Sequence, residues 1–524
     1  MLAAIHSAAV LGIDAYDVTV EADVSLGLPV WTLVGLGSTA VKESRERVCA
    51  ALANSGMPLP PRRVTINLSP ADTPKNGTAF DLPIALAILV ALGWVPAEAV
   101  TPLVAVGELG LDGTLRPVRG VLPVARRQAR RADDDGALLL VVPPGNAREA
   151  RLVPRLAVAT PGTLRELVDR LCEGPLLPDD AADAGAEDAA QAPPPAELAD
   201  VVGQEAAKRA LEIAAAGDHG SALVGPPGAG KTMLARCLPG ILPALSEPEA
   251  LEVLAVQSVA GLLAPGQSPR PLRPFRAPHH TISTAGLVGG GSIPRPGEAS
   301  LAHLGVLFLD EMLEFTRGTL DALRQPMEDG EVVIARAAGA LRFPARFSLV
   351  GAMNPCPCGR AGEPTGGCQC APPDVAKYRA RISGPLADRI DLHVRVGAVP
   401  LRELASMVPR ERSTLVRARV ERARAAQRAR YASLGPTICN GRVPGRWLET
   451  QTPIAPSARL LLTTAAERLG LSARAYHRVL RVSRTIADLE GDDEVAVPHV
   501  AEALRYRPAP EGLVAREERR IRAG

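Results

Sequence analysis

The pattern of apolar and polar positions changes twice along this chain. Residues 1–172 carry short runs rich in strand formers, YDVTVEADV (16–24), RRVTINL (62–68) and LLLVVP (138–143), mixed with helical stretches. Between 201 and 396 strand and helix signals take turns, as in an α/β domain, and from about 400 to 508 the pattern is helical throughout. The first change falls at EGPLLPDDAADAGAEDAAQAPPPAELAD (173–200), which holds eight acids and no base among Ala and Pro. Such a composition cannot bury a core and reads as a linker. The expected organisation is a domain at 1–172, an acidic linker at 173–199, an α/β core at 200–398, a helical domain at 399–508 and a basic tail at 509–524. No internal repeat is present. The longest apolar run, LPIALAILVALGWV (82–95), has 14 residues, whereas a bilayer span needs about 20, so a buried helix is expected there.

Composition narrows the class. A chain of 524 residues that is 47% apolar and 22% charged is a globular protein of two to four domains. Of the 59 basic residues only five are lysine (42, 75, 208, 231 and 377), and the net charge is +2. Any nucleic-acid surface must therefore be local. The start, MLAAIHSAAVLGID, lacks the basic region of a signal peptide. Disulfides are not expected among the eight cysteines, four of which fall within 356–370. A soluble cytoplasmic protein is the expectation, with no membrane partner.

Two segments carry the chemistry of phosphate transfer. GPPGAGKT (Gly225, Pro226, Pro227, Gly228, Ala229, Gly230, Lys231, Thr232) fits the P-loop pattern in full, following the apolar SALV and opening the helical MLARCL. Its backbone N–H groups and helix N-terminus would cradle the phosphates of ATP, Lys231 would reach the β- and γ-phosphates, and Thr232 would ligate Mg²⁺. GVLFLDE (305–311) is an apolar strand ending in two carboxylates. Asp310 would hold Mg²⁺ and Glu311 would orient and activate the attacking water.

A third strand, SLVGAMNP (348–355), ends in Asn354, which resembles the sensor 1 position of AAA+ ATPases. SGPLADRIDL (383–392) resembles the arginine-finger segment of the magnesium-chelatase and MCM branch of that class, which implies that Arg389 acts on a neighbour's γ-phosphate. LSARAYHRVLRVSR (471–484) resembles a sensor 2 helix with Arg474 as the sensor, and DVVGQEAAKRAL (200–211) resembles the AAA+ entry motif with Gln204 near the adenine. Between the two phosphate motifs lies RPFRAPHHTISTAGLVGGGSIPRPGEASLAHLG (273–305). The combination RPFRAPHH, GGG, PGEASLAHLGVLFLDE and AMNPCPCG closely resembles the magnesium-chelatase-like ATPases of the YifB/ComM family, over essentially the whole chain. The resemblance implies an α/β protein with a Lon protease-like (S5-type) α+β N-terminal domain, an AAA+ P-loop NTPase core with a parallel sheet, and a C-terminal helical lid. It also implies a homo-oligomeric ring, a hexamer, and DNA as partner, single-stranded or branched, because the ComM branch is associated with branch migration during natural transformation. A magnesium-chelatase-like motor subunit and a protein-remodelling ATPase are the rival readings.

The Lon-like part is expected to be proteolytically empty. TPKNGTAFD (73–81) resembles a Lon nucleophile loop, with Ala79 where the serine would stand and Lys75 within the loop itself. GELGLDGTLRPVRGVLPVARR (107–127) resembles the segment that supplies the lysine, and Leu122 occupies that place. Without a base and a nucleophile there is no Ser/Lys hydrolysis. The domain is expected to serve oligomerisation or DNA guidance, for which Arg62, Arg63, Arg126, Arg127, Arg130 and Arg131 could provide a surface.

Other candidates bear on DNA and metal. EVVIARAAGALRFPARF (331–347) reads as two strands around an AAGA turn, which in the resembling family is a pore hairpin, so that Arg336 or Arg342 could meet phosphates. Residues 401–450 hold eleven arginines against four acids, either a salt-dependent DNA surface or a solvated helix face. The adjacent His279 and His280 are expected to cap or pack rather than bind metal. Cys356, Cys358, Cys368 and Cys370 could close a tetrahedral structural Zn²⁺ site. Free thiols and a redox switch are the other readings.

Overall fold

The computed structural model describes residues 1–507 apart from 74, 76, 136–137, 180–195, 265–271, 292–293, 337–338, 362–366, 400–409 and 436–437. The centre of the acidic stretch and the basic tail thus lie outside the described residues.

A seven-stranded mixed sheet comes first. Its strands are β1 (Leu2–Leu11), β2 (Asp14–Ser25), β3 (Val30–Val34), β4 (Arg63–Ser69), β5 (Leu103–Ala105), β6 (Leu139–Val141) and β7 (Ala157–Ala159), in the lateral order β3-β4-β2-β1-β5-β6-β7. β1 and β2 form a long antiparallel hairpin from Leu2↔Asp23 to Leu11↔Asp14. The apolar run at 82–95 gives α1 (Asp81–Ala91), buried at every position. A helix apolar all round has no face to offer water, so it sits under the sheet, and each fully buried Leu or Ile there contributes about 1.5–3 kcal/mol. Its one charge, Asp81, is matched by Arg47, whose Nε donates to Oδ2 at 2.6 Å.

The second sheet has five strands, β8 (Ser221–Val224), β9 (Phe275–Arg276), β10 (Val306–Leu309), β11 (Ser348–Met353) and β12 (Leu392–Arg395), ordered β9-β10-β11-β8-β12 with every neighbour parallel. Burial on both faces explains why β8, β10 and β11 read as near-continuous apolar runs. The first strand in sequence lies between the fourth and fifth, so the chain leaves β8 at a topological switch point, where α/β sheets open a crevice at their carboxyl edge. The strands Glu331–Arg336 and Gly339–Pro344 pair as the expected hairpin.

Helices α2 (Val121–Asp135), α3 (Glu205–Gly217), α4 (Lys231–Ile241), α5 (Glu247–Ala260), α6 (Ser413–Arg430) and α7 (Ala473–Glu490) complete the frame. α6 packs among α3, α4 and α7, and this changes the reading of the arginine-rich segment 401–450. Arg417 Nε donates to the Gly240 carbonyl at 2.8 Å and Arg424 Nε to that of Ala215 at 3.0 Å. They cap the carboxyl ends of α4 and α3, where unpaired carbonyls and the helix dipole favour cations. Arg419 pairs with Glu212, Arg430 with Asp488 and Arg442 with Asp218. Five of the eleven arginines are thus spent inside the fold rather than on a phosphate-binding face.

The flanks of the acidic stretch are packed. The Asp179 amide donates to the Val158 carbonyl at 3.0 Å along β7, and Leu198 is buried with its amide donating to Ser413 Oγ at 2.9 Å. The two sheets also share an apolar cluster: Leu254 and Ala255 of α5 join Val121, Leu122 and Ala125 of α2. Beside it, the buried Glu149 accepts from the Leu122 amide at 2.9 Å, Asn146 Nδ2 at 3.0 Å and the Ser258 hydroxyl of α5. No helix among the described residues is long and apolar enough to cross a membrane.

Candidate active site

The chain turns sharply at the carboxyl end of β8. Gly225 is required there, since a Cβ would stand 2.1 Å from the Val396 carbonyl oxygen. Past the loop, α4 starts at Lys231 and points its N-terminus at the crevice. Lys231 Nζ donates to the carbonyls of Gly225 (2.6 Å) and Pro226 (2.9 Å) and to Asn354 Oδ1 (3.2 Å). Burial pushes this amine below the ordinary lysine range, against the pull of Asp310 and Glu311. Thr232 Oγ1 donates to Asp310 Oδ2 at 3.0 Å. Gln204 Nε2 reaches the Gly397 carbonyl at 2.6 Å and that of Ala229 at 3.5 Å, tying the entry segment to the loop.

Lys231, Thr232, Asp310, Glu311 and Asn354 thus converge at the carboxyl edges of three neighbouring strands. Amides, a cation and a helix N-terminus suit a polyphosphate. The Thr232 hydroxyl and Asp310 carboxylate are hard oxygen donors in contact, which fits Mg²⁺, a cation held by one or two protein ligands plus phosphates and water. Glu311 sits in the left-handed region at φ 50, a conformation that costs a non-glycine residue roughly 1–3 kcal/mol and gathers at functional sites.

One residue of the site was not read from the sequence as belonging to it. His280 Nδ1 lies 3.6 Å from Glu311 Oε2, with its ring edge-on to Phe315. β9 runs parallel beside β10, so the chain leaving β9 as APHH arrives next to the carboxyl end of β10. His279 packs as expected, ring to ring with His280 at 4.1 Å and with Nδ1 2.9 Å from Thr281 Oγ1.

Arg389 and Arg474 are elsewhere. The Asp391 amide donates to the Gly220 carbonyl at 2.9 Å, placing Arg389 at the amino edge of the sheet. The four residues of β8 then separate it from the P-loop by about 13 Å of strand. Arg389 is nearly buried, paired with Glu328 and donating through Nη1 to the Pro385 carbonyl at 2.6 Å. It lines a cavity of about 320 Å³ with Arg442, Arg474, Arg478 and Arg481, and with the acids Asp218, Glu328 and Asp391. Arg389 Nε and Arg481 Nε are buried there without a hydrogen-bond partner among the described residues.

The cysteines gather beside Asn354. Cys356 Sγ lies 3.3 Å from that of Cys358 and 3.7 Å from that of Cys368, Cys358 and Cys368 are 3.7 Å apart, and all four sulfurs including Cys370 fall within 4.8 Å of one another. The Arg360 amide, then the neighbouring thiols, pull the Cys358 thiol down to about 6. A second grouping, Glu490, Asp492 and His499, is a closed cap. His499 Nδ1 accepts the Ala496 amide at 3.0 Å, so in the neutral ring Nε2 carries the proton and donates to the carboxylates instead of ligating a metal.

At the positions compared with a protease dyad, Ala79 and the fully buried Leu122 belong to the same apolar cluster. Lys75 is buried, with Nζ unpartnered among the described residues. On the hairpin, Arg342 pairs with Glu331 at its exposed surface, and the side chain of Arg336 lies outside the described residues.

Fold and site together define a P-loop nucleotide-binding protein equipped with the parts of an ATPase. Three family descriptions match in sequence: "Subunit ChlI of Mg-chelatase" at residues 20–146, "Magnesium chelatase, subunit ChlI" at 197–404 and "Magnesium chelatase, subunit ChlI C-terminal" at 410–507. The chain is similar to the competence protein ComM of Haemophilus influenzae, 43% identical over 512 residues, and to the uncharacterized protein YifB of Salmonella typhimurium, 42% identical over 513, each alignment covering 97% of both chains. Similarity to the magnesium-chelatase 38 kDa subunit of Rhodobacter capsulatus is 30% over 172 residues, 30% of this chain and 49% of that one. The chain belongs to the YifB/ComM family of magnesium-chelatase-like proteins, an AAA+ kinship that points to ATPase activity.

Proposed function

We propose that the protein is a ring-forming AAA+ ATPase that couples ATP hydrolysis to translocation along single-stranded or branched DNA, as a branch-migration helicase of the ComM type. The observation that carries the ATPase and the ring is the split of the site: P-loop, Asp310, Glu311 and Asn354 at one edge of the sheet, the arginines at the other. A γ-phosphate held at the first edge is out of reach of Arg389 and Arg474 of the same chain, so charge stabilisation requires a second copy, turned head to tail. Such heterologous contacts close into rings.

In this reading the P-loop amides and Lys231 grip the phosphates. Mg²⁺, held by Thr232 and Asp310, would neutralise charge on the phosphate oxygens. Glu311 accepts a proton from the attacking water while Asn354 orients it, and the neighbour's guanidinium groups stabilise the equatorial oxygens of the transferring group. The unpartnered Arg389 Nε and Arg481 Nε are donors suited to such an anion. The DNA part rests on the full-length likeness to a competence protein and on the exposed arginine-bearing hairpin.

The test is steady-state ATP hydrolysis without DNA, with single-stranded DNA and with a three-strand branched substrate, with Glu311→Gln as inactive control. Stimulation by DNA that weakens with salt is expected. Hydrolysis indifferent to every DNA would refute translocation, and no hydrolysis at all would refute the ATPase.

A further inference from the structure

We propose that Cys356, Cys358, Cys368 and Cys370 hold one zinc ion and that this metal positions the nucleotide site, making ATP binding dependent on the zinc. The inference rests on the ATPase reading above for its consequence, and on sulfur geometry for the metal.

The sulfur spacings suit a metal better than a disulfide. A disulfide needs about 2.05 Å, and all four cysteines are free. A tetrahedral zinc with Zn–S bonds of about 2.3 Å has S–S edges of about 3.8 Å. The observed separations of 3.3, 3.7 and 3.7 Å lie near that edge, with the fourth sulfur inside the same group. The Ala361 amide donates to Cys356 Sγ at 3.3 Å, the kind of contact that orients a ligating thiolate. Four thiolates leave no open position, so the metal is structural.

What it supports is set by where it sits. Cys356 follows Asn354 with only Pro355 between, so the metal fixes the chain leaving β11 immediately after the residue whose Oδ1 receives Lys231 Nζ. The turn also backs onto the P-loop. Gly359, at φ 79, approaches Pro227 so closely that an added Cβ would stand 2.6 Å from Pro227 Cδ. Arg379 Nε donates to the Pro355 carbonyl at 3.3 Å and ties the following helix to the same turn. One metal therefore braces Asn354 from behind and Pro227 from the side. Without it, Cys356 and Cys358 lose their tie to Cys368 and Cys370, and the ordering of the P-loop would have to come from the nucleotide's own binding energy.

The experiment uses the full-length protein. Metal content is measured by mass spectrometry and by cobalt replacement, whose thiolate charge-transfer bands report tetrahedral sulfur ligation independently of any activity. Affinity for a fluorescent ATP analogue is then followed before and after removal of zinc by a zinc-selective chelator, which modifies no residue. About one zinc per chain is expected, and its release should weaken analogue binding about tenfold or more, the scale at which supporting residues act on the sites they orient. Cys368→Ser with Cys370→Ser should lose the metal and show the same weakening. Gly359→Ala keeps all four thiols and should weaken binding by straining the turn at φ 79 and pressing on Pro227. Purified protein with reduced thiols and no metal would overturn the site. Zinc release or Gly359→Ala that leaves analogue affinity unchanged would overturn the coupling. A zinc-loaded protein that binds no analogue at all would overturn the ATPase reading and the coupling together, while the cobalt spectrum would still stand for the metal.

Discussion

Replacing His280 by alanine should speed basal ATP hydrolysis. In the structure the imidazole holds the Glu311 carboxylate from the side, 3.6 Å from Nδ1 to Oε2, at a residue already in a left-handed conformation. A carboxylate engaged by the imidazole is less free to take a proton from water, so the contact should oppose the chemistry. The pair is open to solvent, with the histidine side chain 31% and the glutamate 58% exposed, so screening limits it to about 0.2–1 kcal/mol. At 1.36 kcal/mol per tenfold in rate, releasing Glu311 is worth a gain of about 1.4- to 5-fold in kcat, with little change in KM. The assay is steady-state hydrolysis without DNA, with His280→Gln as a variant that keeps a polar group of similar reach and Glu311→Gln as background. DNA stimulation should shrink by the same factor in His280→Ala, because the restraint it relieves is already gone. An unchanged rate, or a loss beyond tenfold, would refute the restraint. The latter would make His280 a group that orients Glu311 productively.

Other consequences follow from single contacts. Lys231→Ala removes the cation that bonds Gly225, Pro226 and Asn354; at about 1.5–3 kcal/mol per charged hydrogen bond, ATP-analogue affinity should fall by at least tenfold, measured by fluorescence titration. Mixing Arg389→Ala chains with Glu311→Gln chains should restore hydrolysis that neither shows alone, since intact edges meet across a subunit boundary; no restoration would refute action in trans. Asp218→Asn breaks a largely buried pair in which Arg442 Nε donates to Oδ2 and Ser348 Oγ to Oδ1, and should cost about 3–5 kcal/mol, read as a lower urea midpoint. Burial alone would raise the Asp218 and Asp391 carboxyls, but Arg442 and Arg424 in one case, and His219 and Arg478 in the other, hold both well below the usual range. The unfolded carboxyls take up protons near pH 3.9 and the folded ones do not, so this stability is full above about pH 5 and drains away as pH falls through 4, as acid titration of the unfolding midpoint will show. Lys75→Met removes a buried amine without a partner among the described residues and should raise the melting temperature.

Much of the site was legible because it is local. The P-loop, the strand ending in Asp310-Glu311, the strand before Asn354 and the hairpin at 331–344 are each written in consecutive residues, and period and turn chemistry suffice for them. So is the helix under the first sheet, where ten of eleven positions are apolar and no face remains for water. What escaped depends on lateral order. His280 and Glu311 come together only because β9 lies beside β10, a pairing that no local pattern announces. Four of the six arginines of α6 are engaged inside the fold for a related reason: counting charges cannot see that the carboxyl ends of α3 and α4 and the carboxylates of Glu212 and Asp488 arrive beside them. Arg389 and Arg474 were readable as arginines of interest, but their shared cavity at the amino edge was not.

Helix α5 has a practical consequence. It follows the P-loop helix in sequence, yet Leu254 and Ala255 complete a cluster whose other buried members, Ala8 to Val158, belong to the first sheet and the helices and turns around it, and Ser258 satisfies the buried Glu149 there. A fragment begun after the acidic stretch would carry that apolar stripe bare into water, and one ended before it would strand a carboxylate. Neither piece should express as a soluble, well-behaved product. The acidic, Ala- and Pro-rich composition of 173–200 invites a cut that the packing forbids.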